Sequence, residues 1–439
     1  MSGLDVLVLG GGGREHALAW RLARDDGVAR LRLAPGNGGT TAVAETVPEL
    51  DPTSPRDVAR HAGRERYDLV VIGPEAPLAA GVSDALLQAG IPAFGPTRAA
   101  AQLETSKAYA KRQMERAGVP TPAARVFGDP DAALVHAESE QAAGRRLVVK
   151  ADWLAAGKGV LLPDSPVDTE GAIRSLLETG GGGARIVLEE RLEGREVSAF
   201  ALVSGATVVP LAAACDYKRL GDGDVGPNTG GMGAYTPVPW FGADSLEAIA
   251  ATVFEPIAWL MARDGAPYRG VLYAGLMVTD DGPMVLEFNA RFGDPEAQVL
   301  LPMLDGELAG TLLGVATGDR GAVDGSLGVR RGASVGVVIA SEGYPDESQV
   351  GRALEGAEPA SAADGGDLLC FHAGTRRTPN GYESSAGRVM CFVGRGSDLA
   401  AAREAAYRGV AGCQLAGSQH RSDIALREVG EPADPAAPI

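Results

Sequence analysis

Glu287, Asn289 and Arg291, within VLEFNARFGDPE at 285–296, have the residue types and spacing of a metal and phosphoryl site. On a strand, residues two apart face the same side. Glu287 and Asn289 would then present two oxygen donors together. Such a pair suits Mg²⁺ or Mn²⁺, which fill the rest of their shell with water and phosphate oxygens. Arg291 continues on that face, where a guanidinium can hold a carboxylate or steady the charge of a transferring phosphoryl group. The same residues also admit a plain salt-bridge cluster.

The lysines point the same way. The chain has only Lys107, Lys111, Lys150, Lys158 and Lys218 among its 40 basic residues, the others being arginine. Lysine is a compact, strongly hydrated point charge, suited to phosphate. Lys150 and Lys158 bracket KADWLAAGKG, a glycine-containing turn after a strand, with Gly157 and Gly159 flanking the second lysine. The turn is not a Walker A loop, because position 152 is Asp and Lys158 is followed by Gly. It reads as a lid over a nucleotide or as an ordinary hairpin.

Downstream, VLEERLEGREVS at 187–198 runs a buried strand into carboxylates. The backbone there could meet an adenine, and Glu196 a ribose; a solvated acidic turn is the alternative. Asp216, Lys218 and Arg219 precede a glycine-rich stretch, Gly226–Gly233, which could close over a ligand or be a surface loop. Near the N-terminus, Gly10–Gly13 followed by Arg14, Glu15 and His16 lies between a strand and a helix. Backbone N–H groups can face a phosphate there. It is not a dinucleotide fingerprint, since the third glycine position falls on Glu15.

These residues must be positioned by an α/β frame. Strands are expected at Asp5–Leu9, Leu31–Ala34, Leu69–Ile72 and Ile91–Phe94, with helices at Arg14–Ala23 and Gly81–Ala89, giving a small parallel sheet. Turns at Pro35–Gly39 and Gly73–Pro77 would join the Gly10–Gly13 turn at the carboxyl ends of the strands, where ligands collect. A long helix is expected over Thr97–Ala117. From 121 to about 190 the pattern reads strand, helix, strand, glycine turn, strand, helix, strand. A last α+β unit follows 330, and 431–439 reads as a flexible Pro/Ala tail. The resulting boundaries are 1–103, 104–329 (with a lid subdomain at about 121–192) and 330–430.

Net charge is −17, which argues against a general nucleic-acid partner. No membrane-length apolar run or secretory signal is apparent, so the expected location is cytoplasmic. The cysteines, Cys215, Cys370, Cys391 and Cys413, have no paired spacing.

Taken together, the motifs resemble those of the phosphoribosylamine–glycine ligase family along nearly the whole chain. The matching stretches are GGREHALAW at 12–20, APGNGGT at 34–40, GPEAPL at 73–78, FGPT at 94–97, QLETSK at 102–107 and VKADWLAAGKGV at 149–160. They continue through DYKRLGDGDVGPNTGGMGAY at 216–235, LYAGLM at 272–277, EFNARFGDPE at 287–296 and HAGT at 372–375. The resemblance implies an ATP-grasp fold with an N-terminal parallel α/β domain and a small C-terminal α+β domain. It implies that glycine is phosphorylated by ATP and then captured by 5-phosphoribosylamine. By position, Lys107, Lys150, Gly157, Lys158 and Gly159 should contact ATP phosphates, Glu189, Glu190 and Leu192 its adenine, and Glu196 its ribose. Glu287 and Asn289 should bind Mg²⁺ or Mn²⁺. Asp216, Lys218 and Arg291 should lie near glycine and the transferred phosphoryl group. Gly12, Gly13, Arg14, Glu15, His16, Pro35, Gly36, Asn37 and Glu75 should surround phosphoribosylamine. The expected state is a monomer or weak homodimer.

The sequence departs from the family pattern at Trp153, usually Gly, at Cys215, commonly Gln, and at HRSDIA, 420–425. Trp153 could pack on the lid or narrow the entrance, and Cys215 could alter the glycine pocket. Two alternatives stay open: a related ligase for another amino acid or amine, and a non-catalytic nucleotide-binding protein.

Overall fold

The computed structural model describes residues 3–155, 159–323, 327–361, 363 and 365–430. Gly157, Lys158 and the tail at 431–439 lie outside them.

The N-terminal region is a parallel five-stranded sheet ordered Glu45–Thr46, Val28–Pro35, Leu4–Gly10, Leu69–Ile72, Ala93–Phe94. Val6, Val8, Leu31, Leu33, Leu69 and Val71 are buried on one face, and Leu7, Leu9, Val70 and Ile72 on the other. Burial on both faces explains why these strands read as continuous apolar runs. Leu4–Gly10 is central, and the chain winds outward from it in both directions. Its carboxyl end is therefore a topological switch point, opening between the turns after Val28–Pro35 and Leu69–Ile72.

The expected long helix over Thr97–Ala117 is broken in two, Gln102–Thr105 and Lys107–Ala117. Ser106 is extended between them, and its hydroxyl accepts the Tyr109 N–H. This cap competes with continuing the helix. It places Lys107 in the first turn of a new helix, where the backbone dipole favours an anion.

Residues 124–190 form a separate antiparallel sheet ordered Ala124–Phe127, Ile186–Glu190, Leu147–Ala151, Val160–Leu161. Helices Pro130–Ala142 and Pro166–Thr179 cover it and enclose a small core of their own. This is the strand–helix order the sequence pattern implies.

Eight of the remaining strands build one sheet. Its order is Gly282–Asn289, Arg269–Thr279, Arg195–Ser204, Thr207–Asp216, Gly233–Thr236, Ala333–Ala340, Arg388–Gly396, Leu368–His372. The segment after 330 joins this sheet: Gly233–Thr236 pairs with Ala333–Ala340 and carries the sheet across. The glycine-rich stretch is also partly ordered, since Val225–Asn228 pairs with Arg219–Gly221 as a hairpin.

Ala243–Arg263 is long and apolar enough to cross a membrane by length and composition alone. It is two helices joined by a π-turn at Ala250–Phe254, and Val253, Phe254, Ile257 and Met261 pack into the main core.

Candidate active site

Glu287 and Asn289 lie on Gly282–Asn289, an edge strand of the eight-stranded sheet. Lys107 Nζ stands 3.9 Å from Glu287 Oε2. Burial works to raise the Glu287 carboxyl, but Lys107, Lys150, Lys218 and Arg291 outweigh it and hold it below its usual range. Asn289 Oδ1 accepts a long 3.4 Å bond from Arg291 Nη2. The contacts to both oxygens are long enough to be exchanged for a cation. Among the described residues no group of three or more acidic, His or Cys side chains could hold a metal. Magnesium commonly takes one or two protein carboxylates with phosphates completing the shell, so this donor pair fits it.

Arg291 is held from the N-terminal side. Its Nε donates to Glu75 Oε2 at 3.2 Å, and its Nη2 lies 3.0 Å from Glu104 Oε1. Glu104 in turn accepts the Ala290 N–H at 2.8 Å. Burial pushes the Glu104 carboxyl up against the pull of Arg291. For Glu75, burial is outweighed by Arg291 and Arg14, and its carboxyl is lowered.

Lys150 and Lys111 share one buried carboxylate. Lys150 Nζ donates to Glu189 Oε1 at 2.7 Å and to the Leu286 carbonyl at 3.1 Å, and Lys111 pairs with Glu189 Oε2. Burial lowers the Lys111 ammonium to about 8, against Glu189. The Glu189 side chain is thus committed to lysines, so any adenine contact from it must be through its backbone. The Glu190 and Arg191 N–H groups bond the Ala123 and Arg146 carbonyls, and half-buried Leu192 follows at the strand end. Asp152 clamps the lid loop to the new helix, accepting from Ser106 Oγ and Ala108 N–H, each at 2.8 Å.

Lys218 Nζ bonds Asp216 Oδ1 and Glu196 Oε2, each at 2.8 Å. Burial opposes its charge, yet these two carboxylates raise it well above the usual lysine range. Next to them, Glu296 is pushed up to about 7 by burial and by Asp216. Ser198 Oγ links the group, lying 3.4 Å from Asp216 Oδ1 and 2.8 Å from the Tyr273 hydroxyl. Cys215 lies on the other face of its strand, in the main core among Tyr217 and Tyr235. Burial raises its thiol to about 12.

At the switch point, Glu15 reaches back over the first turn and accepts the Gly12 N–H at 2.7 Å. It also pairs with Arg14, whose Nη1 donates to the Phe292 carbonyl at 3.2 Å. A Cβ at Gly73 would stand 2.2 Å from Glu15 Oε1, so this approach requires glycine. Gly36 N–H bonds the Gly10 carbonyl, stitching the turn after Pro35 to the first turn. Asn37 Nδ2 donates to the carbonyls of Gly11 (2.9 Å) and His372 (2.8 Å). His16 is fully buried against Phe371 and His372, its Nδ1 accepting the His372 N–H at 2.9 Å. It is placed inside the junction with the C-terminal segment rather than on the cradle surface.

The structure therefore brings Glu75, Arg14, Arg291, Asn289, Glu287, Lys107, Lys150, Lys218, Asp216 and Glu196 into one linked array. Sequence reasoning passed over Glu104, Lys111, Glu296 and Arg388. Arg388 enters from the C-terminal segment, lying 3.2 Å from Asp294 Oδ2 and donating to the Gly230 carbonyl at 2.6 Å. Glu104 and Glu296 sat within quoted motifs and could have been flagged as acidic residues there. Arg388 carried no local signal.

The phosphoribosylglycinamide synthetase family matches the chain in three parts: its N domain at 4–104, its ATP-grasp (A) domain at 105–297 and its C domain at 334–427. A phosphoribosylamine–glycine ligase of Streptomyces coelicolor is 46% identical over 97% of this chain and 100% of its own length. One of Mycobacterium leprae is 45% identical over 96% and 97%. The crystal structure of the Thermotoga maritima phosphoribosylamine–glycine ligase superposes with a TM-score of 0.80 at 33% identity, covering 96% of this chain and 100% of that one. A biotin carboxylase from Campylobacter jejuni shares the fold at 15% identity, TM-score 0.73, over 98% of this chain and 96% of that one. With the family matched across its three domains and close relatives along its full length, the chain belongs to the phosphoribosylglycinamide synthetase family, on an ATP-grasp fold.

Proposed function

We propose that the chain joins glycine to 5-phosphoribosylamine at the expense of ATP, giving glycinamide ribonucleotide, ADP and phosphate. The observation that carries this reading is Glu287 beside Asn289, with Lys107 3.9 Å from its carboxylate and Lys107, Lys150, Lys218 and Arg291 together holding that carboxyl below its usual range. A carboxylate kept charged amid several cations is the electrostatic frame that phosphoryl transfer between anions needs.

In this reading Lys107, Lys150, Lys158 and the Gly157 and Gly159 backbone hold the ATP phosphates. Glu189, Glu190 and Leu192 line adenine through the strand-end backbone, and Glu196 takes the ribose hydroxyls. Glu287 and Asn289 hold Mg²⁺ or Mn²⁺, which supplies charge neutralisation on the phosphates when bound. Lys218 and Arg291 position the glycine carboxylate, whose oxygen attacks the γ-phosphorus as ADP leaves. Asp216 keeps Lys218 charged and aimed. The amine, held with its phosphate by Gly12 to Glu15, with buried His16 supporting that turn from behind, and by Pro35 to Asn37 and Glu75, then attacks the carbonyl carbon. The C–N bond forms, phosphate leaves, and the nitrogen gives up a proton.

Both departures that could have signalled another substrate are packed into cores. Cys215 faces the core and Trp153 packs within the lid. The test is ADP release across an amino-acid panel, with and without phosphoribosylamine. Glycine-selective, amine-dependent turnover is expected; a clear preference for another amino acid or amine would overturn the reading.

A further inference from the structure

A cavity of about 270 Å³, apart from the array described above, opens where the N-terminal, central and C-terminal segments meet. It lies at the C-terminal end of helix Gly13–Leu22, the opposite end from Arg14. Trp20 and Arg21 line it and are 1% and 6% exposed. Three more arginines converge there from distant parts of the chain: Arg24, Arg330 and Arg395. The Arg24 and Arg395 guanidinium carbons lie 5.0 Å and 5.9 Å from the Trp20 ring centroid.

The cavity wall is rich in donors that lack acceptors. Trp20 Nε1, Arg21 Nε and Arg395 Nε are buried with no hydrogen-bond partner among the described residues. Buried N–H groups left this way are costly unless something accepts from them. The nearby carboxylates are largely committed: Asp25 pairs with Arg21 and accepts the Ala309 N–H at 2.7 Å, and Asp305 pairs with Arg330 at 2.9 Å. Asp26 and Glu307 also line the cavity but are exposed. Burial, then Arg24 and Arg330, hold the Arg395 guanidinium below its usual range in spite of Asp367.

We propose that this junction binds a phosphoryl oxyanion, as inorganic phosphate or the phosphate of a small monoester, between Arg24, Arg330 and Arg395. A tetrahedral oxyanion is all acceptor, and guanidinium forks match its oxygens in pairs. The volume far exceeds the roughly 30 Å³ share of one water molecule, leaving room for a phosphate with a small substituent. Because its arginines come from different segments, the bound anion would tie the three together and stabilise their arrangement by mass action.

Phosphate binding is measured by equilibrium dialysis with radiolabelled inorganic phosphate at fixed ionic strength, on the full chain and on Arg395→Gln and Arg330→Gln. The natural chain should show a phosphate site that weakens at least ten-fold in both variants, with kcat at saturating substrates unchanged. Arg330→Gln serves as the check should Arg395→Gln fold poorly. AMP is titrated in parallel. Weakening confined to inorganic phosphate assigns the site to the free ion, and weakening for AMP as well assigns it to a phosphate monoester. If both folded variants bind phosphate and AMP as the natural chain does, the cavity holds only water and the proposal fails.

Discussion

Trp153 lies directly against Gly180: a Cβ at Gly180 would stand 2.6 Å from Trp153 Cη2 and 2.8 Å from Cζ3. The indole thus caps the C-terminal end of helix Pro166–Thr179 and packs on the lid core of Leu147, Val149, Ile173 and Ile186. Trp153→Gly should remove this contact, destabilise the lid by about 1–3 kcal/mol for a half-buried aromatic, and raise the KM for ATP. Glycine should remain the preferred amino acid. Hydrogen exchange across 124–190 together with substrate profiling checks this. Glycine activity appearing only in Trp153→Gly would show that the ring restricts the substrate instead.

Gly180→Ala should reproduce part of that loss, because the added methyl meets the rigid ring. Only an exchange-protection loss confined to the lid, with KM for phosphoribosylamine unchanged, agrees with the packing described.

Glu287→Gln and Asn289→Ala should each lower kcat by about 10²-fold or more, on the scale of losing a group that steadies transition-state charge. Folding should be retained, since neither side chain lies in a core. Activity against Mg²⁺ concentration, with circular dichroism as the fold control, is the measurement. Near-normal turnover of both variants at limiting Mg²⁺ counts against the metal assignment.

Arg14→Ala should raise the KM for phosphoribosylamine at least ten-fold while changing that for ATP little. Arg14 contacts Glu15 and the Phe292 carbonyl, while Lys107 and Lys150 stand on other elements. An equal loss for both substrates would place the acceptor elsewhere.

His16 makes stability depend on pH. Burial, then His372, lower its pKa to about 3 from an ordinary 6.5. Between those values the unfolded chain binds the additional proton. The contribution is therefore present above about 6.5 and is lost as pH falls toward 3. His16→Asn should flatten this slope. His372, itself lowered by burial, remains in the variant and sets the residual slope. Denaturant midpoints at pH 7.5 and 5 give the comparison; equal slopes in both proteins would refute it.

Local patterns were enough for most of the elements and for which side chains share a single stretch. The parallel strands around Leu4–Gly10 were legible because burial on both faces leaves apolar runs between glycine turns. That Glu287 and Asn289 share one side was legible because the strand period is two, while Arg291 lies just past the strand's end. The tertiary structure decided what no local pattern carries. The break at Ser106 depends on a side-chain cap and on Asp152, 46 residues away, whose carboxylate accepts from Ser106 Oγ. The face chosen by Cys215 follows from strand pairing with Gly233–Thr236. Arg388 reaches Asp294 only because residues after 330 extend the central sheet. His16 became an interior residue because the C-terminal segment covers it. In each case the partner is far along the chain, and its effect on burial and charge exists only once the sheet has brought the two together.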